Sequence, residues 1–175
     1  MNNIFPRISD NEVNVLPFEL KHLTQRYVDW LNDKEVVKYS EQRYNKHTLE
    51  SCEKYFLLQK DYGNFFLAIE SEDNIHIGNI GVTVDNNNKL ADISILIGEK
   101  SYWGKGYALR SWNLVVDQLL NKYNYRGITA GTMSCNKPMI SLMKKSHMKI
   151  ESILKNRFLL DGKEIDLVIA SKFSI

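Results

Sequence analysis

Trp103-Gly104-Lys105-Gly106-Tyr107-Ala108 connects a strand-like run, Ala91 to Gly98, to a helix-like run, Ala108 to Leu120. Two glycines one residue apart let the backbone turn tightly and bring several N–H groups to one point. The helix that follows begins with N–H groups that have no partner within the helix and lie at the positive end of its dipole. This order of elements predicts a cradle for a phosphate or pyrophosphate. A plain strand-to-helix turn is the alternative that these residues leave open.

Two common nucleotide-binding patterns are excluded at this loop. A dinucleotide-binding fingerprint needs glycine or alanine three residues after Gly106, and Leu109 stands there. A phosphate loop of the Walker type needs four residues between its glycines and then Gly-Lys-Ser/Thr, and no stretch of the chain has that spacing.

The loop resembles the pyrophosphate-binding loop of the GNAT superfamily of acetyl-CoA-dependent N-acetyltransferases, which is written Gln/Arg-x-x-Gly-x-Gly/Ala. In this chain the loop reads Ser101-Tyr102-Trp103-Gly104-Lys105-Gly106, so serine replaces the leading Gln/Arg. Together with the run from Ala91 to Gly98, it is similar to the branch that acetylates ribosomal-protein N-termini and to relatives found with sugar-modification enzymes.

A second block supports the same family. The segment from Asn136 to Met148 resembles the family pattern Asn-x-x-Ser/Ala-(x)7-Gly-Phe, with His147-Met148 in place of Gly-Phe. After it, Asp161 to Asp166 looks like the Gly-x-x-x-Asp hairpin that closes this branch. The resemblance runs from about Val13 to Phe173, with the two landmarks in the expected order.

The resemblance implies a fold and a cofactor. We expect one N-acetyltransferase domain over residues 1–175, of class α+β, with a mixed, mainly antiparallel sheet that is flanked by helices and has splayed central strands. Acetyl-CoA is the implied cosubstrate, and its pantetheine arm would pair with the strand before the glycine loop. The implied cofactor-binding residues are Ile95, Leu96, Ile97, Tyr102, Trp103, Gly104, Lys105, Gly106, Tyr107, Ala108 and Asn136. By residue type alone, Ile95 to Ile97 also fit a plain buried strand.

Acetyl transfer needs a base for the amine and a proton for the leaving thiolate. Asp92 is the predicted base, because relatives often carry Glu at the matching strand position. An edge-strand aspartate on the solvent face is the alternative reading. Relatives often place Tyr seven residues after the motif Asn to protonate the thiolate, but Met143 stands there and cannot donate a proton. We assign no acid.

The acceptor is expected to enter near the loop from Lys38 to Lys46 and the C-terminal hairpin. Aromatic and basic side chains of this kind suit a nucleobase or sugar and a diphosphate. The predicted substrate-binding residues are Trp30, Tyr39, Arg43 and Tyr44. A solvated loop with ordinary charges is the other reading.

Two classes of function follow. The first is an N-acetyltransferase whose acceptor is an amino sugar on a nucleotide carrier, a protein N-terminus or a small amine. The second is a non-catalytic GNAT-fold module that binds CoA or a partner protein, which the Met143 and Ser101 substitutions support.

Composition agrees with one ordinary globular domain. The chain has 175 residues, 43% hydrophobic and 25% charged, with a net charge of +2. No basic stripe indicates a nucleic-acid partner, and no apolar run is long enough to span a membrane. Cys52 and Cys135 have no metal-ligand spacing, so we expect a cytoplasmic protein without a metal. A homodimer is a further possibility.

Periodicity predicts the order of elements. We expect helices over Leu20 to Leu31, from Thr48 onward, over Ala108 to Leu120 and after Asn136. Strands are predicted at Asn64 to Glu70, Ile75 to Val84, Leu90 to Gly98, Gly127 to Met133, Met148 to Leu160 and Glu164 to Ser171.

Overall fold

Eight strands form one sheet in the computed structural model, which describes residues 5–174. The strands are β1 (Ile8–Ser9), β2 (Val13–Pro17), β3 (Phe65–Ser71), β4 (His76–Asp85), β5 (Leu90–Ile97), β6 (Gly127–Met133), β7 (Lys149–Leu160) and β8 (Lys163–Phe173). Their order across the sheet is β1-β2-β3-β4-β5-β6-β8-β7. Because β8 lies between β6 and β7, the last hairpin folds back on the sheet and leaves β7 at the edge.

Four α-helices and three short 3-10 helices connect the strands of the described chain. The α-helices are α1 (Gln25–Asn32), α2 (Leu49–Asp61), α3 (Tyr107–Asn121) and α4 (Lys137–Lys145). The 3-10 helices are Leu20–His22, Glu41–Tyr44 and Lys100–Tyr102. The predicted class is confirmed: an α+β fold with a mixed, mainly antiparallel sheet and helices beside it.

The sheet is parallel at one place among the described strands, between β5 and β6. These two strands pair only at their first three residues, Leu90 to Asp92 of β5 with Gly127 to Thr129 of β6. The rest of β5 stays paired with β4 as far as Ile97, while the rest of β6 stays paired with β8 as far as Met133. A cleft therefore opens between β5 and β6 beyond Asp92, as the predicted splay requires.

The two faces of the sheet are covered by different helices. On one face α3 buries Trp112, Val115 and Leu119 completely, against apolar side chains of the central strands. On the other face α1 and α2 pack over a smaller cluster that includes Tyr27, Cys52 and Ala68. Because side chains alternate along a strand, successive residues of β5 serve the two clusters in turn.

The start of the chain differs from the sequence-based expectation. The single predicted helix over Leu20 to Leu31 is wrong, because the 3-10 helix Leu20–His22 ends before α1 begins. The Thr24 side chain accepts a hydrogen bond from the N–H of Tyr27 and so starts a new helix. The strands β1 and β2 were also missed, since two and five residues carry too little periodicity to predict.

Local capping explains why other boundaries were predicted well. Thr48 and Ser51 form a reciprocal capping box at the start of α2. The Asn136 side chain caps α4 by accepting from the N–H of Met139 at 3.3 Å. The turn between β7 and β8 has positive φ at both Asp161 and Gly162, as a tight hairpin turn needs.

The second residue after α4 offers a stability test. His147 has φ +61°, and its N–H donates to the carbonyl of Lys144, so it ends the helix in the left-handed conformation that glycine prefers. We expect His147→Gly to raise the free energy of unfolding by about 1 kcal/mol, because it removes this backbone strain. Urea denaturation measures the change. Lys144→Gly, inside the helix, is the control and should lower stability; a loss of stability in His147→Gly would contradict the prediction.

Candidate active site

The glycine loop presents an open set of backbone N–H groups. Gly104 and Gly106 have φ +72° and +92°, values that other residues rarely adopt. Gly106 is the N-cap of α3 and offers no side-chain oxygen to the N–H groups of the first turn. A Cβ atom added at either glycine would meet nothing within 4 Å, so space lies in front of the loop. The loop therefore fits the pyrophosphate of acetyl-CoA.

Side chains of the loop hold it against the end of β5. The Trp103 indole N–H donates to the carbonyl of Ile97 at 2.8 Å, while the ring stays 39% exposed. The Tyr107 hydroxyl donates to Glu72 at 2.8 Å, and this contact raises the pKa of Tyr107 to about 12. Tyr107 therefore offers a ligand its backbone N–H, since its ring is buried.

The cleft between β5 and β6 exposes backbone groups of β5. The carbonyls of Ala91 and Ile97 both point away from β4. The Thr129 hydroxyl approaches the Ala91 carbonyl, and the Ile97 carbonyl accepts from the Trp103 indole N–H. Alternate residues of a strand direct their backbone groups to the same side. The N–H and C=O groups of Ile93 and Ile95 consequently face the cleft, where an extended amide chain such as pantetheine could pair with them.

Asp92 lies at the point where the cleft opens. Its carboxylate accepts a hydrogen bond from the Thr129 hydroxyl of β6 at 2.8 Å. Surrounding protein atoms reduce the hydration of this carboxylate and raise its pKa above the ordinary value, although the Thr129 contact acts in the opposite direction. The side chain keeps contact with solvent and lies on the same face of β5 as Ser94 and Leu96.

A cavity of about 410 Å³ lies on that same face, between the sheet and the helices α1 and α2. Its floor consists of Phe66 of β3, Asn79 and Gly81 of β4, and Ser94 to Leu96 of β5. Its walls carry aromatic and aliphatic side chains from α1 and α2, and its rim carries polar residues of the loop between these helices. The cavity, on one face of the sheet, and the cleft, between β5 and β6, therefore meet at Ile95 and Leu96.

The sequence profile of the acetyltransferase (GNAT) domain matches residues 13–149, which is most of the chain. The chain belongs to the GNAT acetyltransferase family. It is accordingly an acetyl-CoA-dependent N-acetyltransferase. No protein of curated function matches the sequence closely enough to count as a relative.

Solved structures of GNAT acetyltransferases share this fold. One from Bacillus anthracis has a TM-score of 0.82 at 18% identity, with 96% of this chain and 98% of that chain covered. The ribosomal-protein α-N-acetyltransferase RimL, solved with coenzyme A, has a TM-score of 0.84 at 15% identity, with 96% of this chain and 98% of that chain covered. A spermidine N-acetyltransferase from Vibrio cholerae, solved with CoA and spermine, has a TM-score of 0.83 at 17% identity, with 94% of this chain and 96% of that chain covered.

Two predicted site residues of this GNAT acetyltransferase have their side chains engaged within the protein. Trp30 is only 6% exposed and packs on Gly98 and His76 in the core, so its position gives no support to an acceptor contact. Asn136 uses its oxygen as the α4 cap and donates from its amide nitrogen to Thr132 at 3.0 Å. Its contact with the cofactor stays a prediction.

Part of the predicted acceptor loop docks the C-terminal hairpin. Arg43 donates to the carbonyls of Ser40 and Leu159 and pairs with Glu41 at 3.0 Å. The Tyr44 hydroxyl also donates to Leu159, at 3.1 Å, and Tyr39 is half-buried beside Lys38. None of Tyr39, Arg43 and Tyr44 is among the described residues that line the cavity. Other residues of the same predicted loop line it, although they were not named as substrate-binding residues: Ser40, Gln42, Asn45 and Lys46.

Three further observations complete the description of the GNAT acetyltransferase. Within residues 5–174 no three His, Cys, Asp or Glu side chains are grouped so that they could hold a metal ion. The helices of this described part are too short or too polar to cross a bilayer. Met143 is 0% exposed, so the residue at the family's tyrosine position belongs to the core.

Proposed function

We propose that the chain, as one N-acetyltransferase domain over residues 1–175, acetylates a primary amine that enters the 410 Å³ cavity. Acetyl-CoA would bind from the other side, with its pyrophosphate at the glycine loop and its pantetheine arm in the cleft. The observation that carries the proposal is the meeting of cavity and cleft at Ile95 and Leu96. An amine and a thioester that approach from opposite sides come together at that point.

The residues near this point have separate tasks in the proposed reaction. Bound acetyl-CoA supplies an electrophilic thioester carbonyl. A backbone N–H group of β5 on the cleft side polarises that carbonyl by donating a hydrogen bond. Asp92 takes the proton of the amine through a chain of water molecules, because it lies on the cavity face but outside the lining, three residues along β5 from Ile95. The thiolate leaves without a protein acid, since it is a fairly stable anion and Met143 has no proton to give.

The charge of the cavity favours one class of acceptor. Its lining, among the described residues, contains no Asp or Glu and has one lysine, Lys46. Glu41 of the same loop is paired with Arg43 and lies outside the lining. A polyamine needs carboxylates for its second and third charges, whereas a neutral or anionic molecule does not. We therefore propose an amine on a neutral or anionic body, with a nucleotide-linked amino sugar first and a protein N-terminus second.

A charge reversal at Lys46 tests this acceptor class. The probes are glucosamine, glucosamine 6-phosphate and 2,6-diamino-2,6-dideoxyglucose, which share one ring and amine and differ in charge at the sixth carbon. We expect the wild type to prefer the phosphate over the diamine. Lys46→Glu should lower kcat/KM for the phosphate and raise it for the diamine, each about fivefold, as rim charges of this kind allow. Thiol release from acetyl-CoA measures the rates.

Lys38→Glu is the matched control, because it makes the same charge change in the same loop outside the cavity lining. It should leave the order of the three probes unchanged. A wild type that prefers the diamine or spermidine, or that acetylates only N-terminal peptides, would overturn the proposed acceptor. A chain that releases no thiol with any amine would favour the non-catalytic alternative.

A further inference from the structure

Three tyrosines of the described chain have buried side chains, and one of them differs from the other two. The hydroxyl of Tyr107 donates to Glu72 at 2.8 Å. The hydroxyl of Tyr125 donates to the side-chain oxygen of Asn86 at 3.0 Å. Tyr27 of α1 is only 4% exposed, and its hydroxyl has no hydrogen-bond partner among the described residues. Buried tyrosine hydroxyls usually have a partner, so this one calls for an explanation.

The Tyr27 hydroxyl can be reached from the cavity. Tyr27 lines the cavity together with Leu31 of the same helix. In the described part of the chain, the side-chain nitrogen and oxygen atoms that are both sealed from solvent and unpaired belong to His76, Asn79 and Trp112. The Tyr27 oxygen is not one of them. It is therefore unpaired but open, and the cavity is the space onto which it opens.

The surroundings of Tyr27 fix its ring and keep its hydroxyl neutral. The ring packs against Phe18, Trp30 and His76, with centroid distances of 5.4, 6.3 and 6.1 Å. Burial raises the pKa of Tyr27, so the hydroxyl keeps its proton at physiological pH. A neutral hydroxyl can both donate and accept a hydrogen bond. A ring that is held by three aromatic neighbours presents this hydroxyl in a fixed place.

Other hydroxyl groups face the same cavity. Cys52 and Tyr55 of α2 lie near enough to raise the pKa of Tyr27, and both line the cavity, but no hydrogen bond joins either of them to Tyr27. On the floor, the Ser94 hydroxyl makes a long contact of 3.5 Å with a carbonyl of β4. The walls and the floor thus present neutral hydroxyl groups, while the lysine of the lining, Lys46, lies in the loop at the rim.

We infer that the Tyr27 hydroxyl forms a hydrogen bond with a ring hydroxyl of the acceptor and so selects an acceptor with a polyhydroxylated body. The inference rests on the proposed function, in which the cavity takes the acceptor. The amine must reach Ile95 and Leu96 on the floor, and a phosphate would pair with Lys46 at the rim. The α1 wall is then left for the body of the acceptor. A hydroxyl on that body matches tyrosine, because each group can donate to or accept from the other.

Tyr27→Phe tests the inference, because it removes the hydroxyl and keeps the ring. The probes are glucosamine 6-phosphate and its 3-deoxy and 4-deoxy analogues. We expect the wild type to lose about fivefold in kcat/KM with at least one deoxy analogue, as the loss of one neutral hydrogen bond allows. Tyr27→Phe should lose the same factor with glucosamine 6-phosphate and nothing further with that analogue, since both changes remove the same bond. The KM of acetyl-CoA should not change.

Tyr125→Phe is the matched control, since it removes the hydroxyl of another buried tyrosine, one that is bonded within the protein. It should lower the melting temperature and leave acceptor selectivity unchanged. Tyr27→Phe should leave the melting temperature of the free protein unchanged, because no protein group loses a partner. A Tyr27→Phe variant that still discriminates against the deoxy analogue as the wild type does would overturn the inference. A wild type that acetylates both deoxy analogues as well as the parent sugar would overturn it too.

The Lys46→Glu results distinguish a failure of this inference from a failure of the proposed function. If Lys46→Glu changes acceptor preference as expected while Tyr27→Phe leaves the deoxy discrimination intact, the cavity takes the acceptor and the role of Tyr27 is wrong. If neither substitution affects acceptor kinetics, the amine binds elsewhere and the proposed function fails together with the inference.

Discussion

Gly106→Val is expected to weaken CoA binding by about a hundredfold, because valine at φ +92° displaces the backbone N–H groups that face the pyrophosphate. The added side chain would also occupy the open space in front of the loop. Loss of two hydrogen bonds to a charged group, at about 1.5 kcal/mol each, corresponds to a change of this size. Isothermal titration calorimetry with CoA measures it.

The control for this variant is another glycine with the same backbone demand. Gly63 has φ +71°, an added Cβ there would also meet nothing within 4 Å, and it follows α2, away from the glycine loop. Gly63→Val should cost similar stability and leave CoA affinity unchanged. Equal CoA affinity in the Gly106 variant and the wild type would exclude the glycine loop as the pyrophosphate site.

Asp92→Asn is expected to lower kcat by about a hundredfold, the usual contribution of a positioned general base. The CoA dissociation constant should hardly change, because the cofactor would be held mainly by backbone groups. Asp117→Asn, on the exposed face of α3, removes the same charge far from the cleft and should have no effect. A normal turnover number for Asp92→Asn at pH 7 would leave Asp92 without a catalytic role.

The pH profile adds an independent test of Asp92. A base must be ionised, so activity is lost as the pH falls through its pKa. Desolvation raises this pKa, and the loss should therefore begin at higher pH than for an ordinary aspartate. Thr129→Val removes the hydrogen bond that lowers the pKa, so it should move the loss to higher pH still. A shift toward lower pH would contradict this role.

Short-range chemistry explains what could be predicted. The starts of α2 and α4 were predicted closely, because Thr48 and Asn136 cap their helices through atoms three residues away. Strand β6 was predicted with the bounds that the structure has, Gly127 to Met133. The splayed pair was expected from the resemblance to the family. The first helix was predicted too long, because the helical periodicity of the sequence continues through Thr24. In the structure the Thr24 side chain caps a new helix at that point.

The acceptor side shows the limit of such reasoning. Arg43 and Tyr44 have residue types that suit a nucleotide, yet they bind the carbonyl of Leu159, more than a hundred residues away. Asn79, on the cavity floor, was overlooked because one amide in an apolar strand gives no pattern.

The sequence by itself determined the family, the fold class, the glycine loop and the order of the elements, because each depends on residues that are close together in the chain. Only the tertiary structure decided which side chains form the cavity floor and that Lys46 rather than Arg43 lines the cavity. These features depend on contacts between β4, β5 and the loop before α2. Such contacts are set by how the sheet and helices pack together, which local periodicity does not encode.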